Sequence, residues 1–106
     1  MKQYTTPEQT AKLIELGFEK PKNEVKAEQA GDYAWYNPTY SIGELLSFLP
    51  HEIEIEEEDV CASFQMTADW ELYYTTYSDI FYYVCNKELI DGLFDLCVKL
   101  KKERII

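Results

Sequence analysis

From Glu52 to Thr75, apolar and polar residues alternate for most of the way. Ile53 and Ile55 interleave with Glu52, Glu54 and Glu56. Val60, Ala62, Phe64 and Met66 interleave with Cys61, Ser63, Gln65 and Thr67. Trp70, Leu72 and Tyr74 interleave with Glu71, Tyr73 and Thr75. A period of two sends one class of side chain to each face of a strand. Repeated across a turn at Thr67-Ala68-Asp69, it confines the segment to an antiparallel hairpin or a three-stranded meander, with one face buried and the other wet. The continuous apolar and aromatic run from Ile80 to Val84 fits either a further strand or the approach to the last helix.

Helical signals flank this segment. After Asn86, a candidate cap, the residues Leu89, Ile90, Leu93, Phe94, Cys97, Val98 and Leu100 form a wide apolar stripe at helical period. Glu88, Asp91 and Asp95 lie toward its start and Lys99, Lys101, Lys102 and Arg104 toward its end, which complements the helix dipole. A helix over about 87–103 follows, with Leu93 and Phe94 in mid-stripe. Thr6-Pro7-Glu8-Gln9 combines a capping box with a proline at the first helical position, and Gly17 suits the left-handed residue that ends a helix, with Phe18 folding back on Leu13. This predicts a helix over about 7–16. Ser41 and Glu44 make a second capping box, Tyr40 and Leu45 a hydrophobic staple, and Pro50 a stop, for a helix over about 42–49. Residues 19–32 read as a loop, and Tyr33-Ala34-Trp35-Tyr36 as a short strand ended by Asn37-Pro38. With 106 residues and nearly half of them hydrophobic, the expectation is a single α+β domain over 1–106: an antiparallel sheet of three to four strands packed with three helices.

The net charge of −10 is unevenly spread. Residues 51–86 carry nine acids and no base, whereas residues 1–50 carry seven acids and five bases and residues 87–106 four acids and five bases. A base-free stretch of this kind argues against direct contact with nucleic acid, which needs cations to displace counterions, and against anionic membrane surfaces. The N-terminus has no apolar run behind its charge, and no stretch approaches the roughly 18 apolar residues of a membrane span. A soluble cytoplasmic protein is expected. Cys61, Cys85 and Cys97 are odd in number and form no CxxC, so they are expected to be free, buried thiols.

The order of these signals, from Thr6-Pro7-Glu8-Gln9-Thr10-Ala11 through Tyr40-Ser41-Ile42-Gly43-Glu44-Leu45-Leu46 and Trp70 to Glu88-Leu89-Ile90-Asp91-Gly92-Leu93-Phe94, resembles small proteins carried by bacteriophages and mobile elements of gut bacteria. The matching residues are mostly caps and core positions. What the resemblance implies is a setting, that of a phage or prophage accessory protein, and no functional residue.

Little in the chain points to catalysis. The single histidine, His51, follows a helix-stopping proline, and nothing in the sequence brings it to Cys61 or Cys85 as a nucleophile's base. Gly17, Gly31, Gly43 and Gly92 are scattered and form no phosphate-binding loop, so no cofactor is expected. The run Glu52, Glu54, Glu56, Glu57, Glu58, Asp59 lacks the turn residues that calcium loops interleave with their carboxylates, so no metal site is expected either. Strand alternation is expected to place Glu54, Glu56 and Glu58 on one face. The tyrosines suit surfaces that are apolar at one end and wet at the other. The candidate interaction face is therefore Glu54, Glu56, Glu58, Asp59, Glu71 and Tyr73, offered to a basic protein partner. The leading expectation is a noncatalytic interaction protein. An acidic nucleic-acid mimic comes second and a small enzyme third.

Overall fold

The computed structural model describes residues 2–26 and 36–106. Three helices and a four-stranded antiparallel sheet give the α+β arrangement expected. The elements run α1 (Pro7–Glu15), β1 (Asn23–Lys26), β2 (Tyr36–Thr39), α2 (Ile42–Phe48), β3 (Glu52–Ile55), β4 (Val60–Met66), β5 (Glu71–Thr75), β6 (Ile80–Cys85) and α3 (Leu89–Lys102).

The first two helices start where their caps place them. Thr6 Oγ1 accepts from the Gln9 backbone (3.1 Å) while Gln9 Oε1 accepts from the Thr6 backbone (2.9 Å). Ser41 and Glu44 make the same reciprocal pair at 3.1 and 3.2 Å. After α1, Gly17 takes φ 100° and lets the Phe18 amide reach back to the Leu13 carbonyl at 3.1 Å. The third start differs from expectation. α3 begins at Leu89, the residue at its cap is Glu88, and Glu88 makes no side-chain capping bond. Asn86 instead donates through Nδ2 to Asp95 at 2.8 Å, tying the entry of the helix to its own second turn.

The sheet is a simple meander in the order β3-β4-β5-β6. The run 80–85, ambiguous in sequence, is its fourth strand. A bulge between Leu72/Tyr74 and their partners Val84/Phe81 sets two residues of β6 against Tyr73, with Tyr82 at φ 55°. β1 and β2 form a separate antiparallel pair, Asn23 opposite Thr39 and Lys26 opposite Tyr36. Residues 23–26 are thus a strand and not the expected loop, and Pro38 lies inside β2 instead of ending a strand before it. A two-stranded ribbon has only edges, where a proline without an N–H is tolerated. The expected strand residues Tyr33, Ala34 and Trp35, and the loop residues 27–32, lie outside the described residues.

The core lies between α3 and the inner sheet face. Leu89, Ile90, Leu93, Leu96, Cys97 and Leu100 from the helix meet Ile53, Ala62, Leu72 and Tyr74 from the sheet, with Leu45 of α2 and Leu49 just after it closing one side. Gly92 lets the two layers approach closely: a Cβ there would stand 3.2 Å from Leu72 Cδ1. Phe94, expected in mid-stripe, is only partly buried and packs at the margin of this core. Tyr74 donates its hydroxyl to the Pro50 carbonyl (2.7 Å), fixing the sheet to the end of the α2 segment, and burial raises its phenol well above the ordinary range. No helix among the described residues is long and apolar enough to cross a membrane.

Candidate interaction face

Because successive side chains of a strand alternate, burying Ala62, Leu72 and Tyr74 commits the intervening residues to the opposite side. That outer face carries Glu52 and Glu54 from β3, Cys61, Ser63 and Gln65 from β4, Glu71, Tyr73 and Thr75 from β5, and Tyr83 and Cys85 from β6. No described helix lies across it, and Glu54, Cys61, Gln65, Tyr83 and Cys85 are exposed along it.

Of the six expected face residues, three are where alternation predicts. Glu54 faces outward opposite Cys61, and Glu71 and Tyr73 face outward on β5, with Tyr73 opposite Gln65. Glu56, Glu58 and Asp59 are not on a strand. β3 stops at Ile55, and residues 56–59 make the turn into β4, with the Glu58 amide bonded to the Ile55 carbonyl (3.1 Å) and Asp59 at φ 54°. The acid run contains no apolar residue to anchor further strand, and aspartate tolerates the left-handed conformation such a turn needs. The reversal of the meander places this turn at the same end of the sheet as the β5–β6 turn. There the carboxyls of Glu58 and Asp79 lie close enough to influence each other's charge. Local loss of water and then the Asp79 carboxylate hold the Glu58 carboxyl above the ordinary glutamate range, with Glu57 adding to the effect.

Between these two turns, over the outer side of β4, lies an open groove of about 510 Å³. Cys61, Ser63 and Gln65 form its floor, and Glu58 and Tyr77 stand at its walls. Tyr77 is fully exposed and Ile80 is 60% exposed beside it. At the other end of the face, the Tyr73 and Tyr83 rings stack with centroids 6.3 Å apart and planes at 28°. Tyr83 donates its hydroxyl to Glu71 Oε2 at 2.7 Å. That bond, followed by desolvation and the charge of Glu71, pushes the phenol up to about 12.

Tyr83 and the groove were not legible in the sequence. The run 80–84 has no alternation to read, and the bulge shifts its parity. All three cysteines are free, as expected, but only one of them is buried. Cys97 is buried, with Sγ 3.7 Å from the Leu45 carbonyl, but Cys61 and Cys85 are exposed. For Cys61 the signal was present, since it alternates with Val60 and Ala62 and so belongs to the polar set. His51 is exposed, its carbonyl accepting from Phe64 N at 2.9 Å, and its ring makes no hydrogen bond to a thiol or carboxylate among the described residues. Among the described residues, no group of three or more histidines, cysteines or acids is placed to hold a metal ion. Compared with known protein families, curated proteins and solved structures, the chain has no significant match.

Proposed function

We propose that the protein acts by noncatalytic binding, presenting the open face of its four-stranded sheet to a protein with a basic surface. One observation carries this reading: every charged side chain on that face and on its bordering turns is an acid, and none of them has a basic ion-pair partner among the described residues. Their summed field attracts a cationic surface and speeds encounter with it. The exposed Tyr77, Ile80 and Tyr83 add the apolar contact that charge alone does not supply. In the setting implied by the resemblance to small phage proteins, such a partner would be a host or phage protein.

The test starts from a partner captured at low salt and purified. Its affinity should fall steeply as ionic strength rises from about 0.01 M to about 0.15 M, over which the screening length shrinks from about 30 to about 8 Å. Changing Glu52, Glu54 and Glu71 together to Gln should weaken it. A control that removes the same charge from the helical side, at Glu8, Glu15 and Glu103, should not. Equal affinity for the wild type and the sheet-face variant would overturn the proposal. Competition by duplex DNA for the partner's site would move the reading to a nucleic-acid mimic.

A further inference from the structure

At the aromatic end of the open face, a carboxylate is held against a tyrosine pair. Glu71 is fixed on β5 by its pairing with Cys85, by the Tyr83 hydroxyl at Oε2 (2.7 Å) and by the Thr67 hydroxyl near Oε1 (3.3 Å). A carboxylate has about four acceptor positions, so two hydrogen bonds leave it able to accept more. Tyr83 remains 46% exposed beside it, stacked on Tyr73. We propose that Glu71, Tyr73 and Tyr83 form a seat for an arginine side chain, the guanidinium lying on the tyrosine pair and hydrogen-bonding to the Glu71 carboxylate.

This rests on reading the open face as a surface for a basic protein, and it names the cation taken there. The geometry favours arginine over lysine. A guanidinium is planar, weakly hydrated and able to stack on a ring while its edge donates to a carboxylate; an ammonium is a compact, strongly hydrated charge that gains less from a flat aromatic surface. Tyrosine and arginine also recur as the residues that dominate binding energy at protein interfaces. The seat is preorganised, because the Tyr83–Glu71 bond already fixes both groups and little side-chain freedom remains to be lost on binding. Gln65, opposite Tyr73, belongs also to the floor of the neighbouring groove. A segment whose arginine occupies the seat therefore has room for its adjoining residues over β4.

The experiment uses oligoarginine and oligolysine peptides of equal length, titrated into the whole protein. The arginine peptide should bind about two- to fivefold more tightly, the range of a cation–π contact at an exposed site. Replacing both rings, Tyr73→Leu with Tyr83→Leu, should abolish the difference and leave charge-driven binding of both peptides. Tyr83→Phe keeps the ring and should retain most of the preference. Should the double variant fail to fold, the wild type decides: the ring resonances of Tyr73 and Tyr83 should shift more with the arginine peptide than with the lysine peptide, and unmoved resonances would overturn the seat. Equal affinity for the two peptides, or a preference that survives loss of both rings, overturns it as well. If in that case the triple change of Glu52, Glu54 and Glu71 to Gln still weakens both peptides, the acidic face stands and only the arginine seat is lost. If the triple change leaves both peptides bound as before, both readings fall.

Discussion

The two faces of the four-stranded sheet are made by the same strands and differ in almost every respect. On the inner face Ala62, Leu72 and Tyr74 are fully buried under α3. One residue along, Cys61, Glu71 and Tyr73 look outward, and beside them Tyr83 is exposed. Packing dictates the first set, since a chain of this size must remove most of its apolar surface from water to fold. Packing leaves the second set unconstrained, and yet it is not a random polar surface: its charges are all acidic and its rings are clustered. A face that folding does not require is where binding chemistry has room to accumulate.

The sharpest way to break this contrast is by truncation on each side. Leu72→Ala and Leu93→Ala, both removing fully buried side chains, should each cost about 2–5 kcal/mol in unfolding free energy. Gln65→Ala on the outer face should change it by less than about 0.5 kcal/mol. Chemical denaturation of the three variants measures the difference. A cost at Gln65 as large as at Leu72 would mean that the outer face is structural after all.

Thiol chemistry sharpens the same contrast without mutation. Burial pushes the Cys97 thiol up to about 12, which suppresses its thiolate at neutral pH. Cys61 and Cys85 are exposed. A thiol reagent should therefore modify two cysteines in the folded protein and the third only after denaturation. A single accessible thiol would place Cys61 or Cys85 under cover.

What the sequence disclosed follows the same division. The two capping boxes, the helical stripe of α3 and the alternation from Val60 to Thr75 are local signals, and each marks an element found close to where it was expected. The pairing of β1 with β2 joins polar segments on either side of residues 27–35, and neither segment has an apolar period to announce it. The acid run failed as a strand because its alternation extends only through Ile55, beyond which every residue up to Asp59 is charged. Cys61 follows strand parity and not the general tendency of cysteine to be buried. Strand parity puts Glu54, Glu71 and Tyr73 on the outer face, and the register agrees. Tyr83, the neighbour of Glu71 and Tyr73 in space, is hidden by the bulge at Tyr82.

The smallest expected effects concern how each side of the molecule responds to acid. On the helical side, Asp91 accepts from Lys2 Nζ at 2.9 Å and from Gln9 Nε2 at 2.8 Å. Partial burial works to raise its carboxyl, but these two hydrogen bonds and the lysine charge outweigh that and hold it below the ordinary aspartate value. A depressed carboxyl contributes stability that is present in full above its unfolded value, about 4, and is lost as pH falls through its lower native value. On the sheet side, Glu58 is held above the ordinary glutamate range by desolvation and Asp79. Its sign is opposite: ionising it costs stability above its raised native value, and the cost disappears as pH falls below its unfolded value, about 4.3. Both sites are well solvated, so each difference should be a modest shift in melting temperature. Asp91→Asn should melt below the wild type at neutral pH, and the gap should close as pH falls below about 4. Glu58→Gln should melt slightly above the wild type at neutral pH, and its advantage should fade over the range in which Glu58 takes up its proton. Melting curves of the two variants across this range check both signs together. An advantage of Glu58→Gln that persisted undiminished in acid would show that relief of repulsion from Asp79 is not its cause.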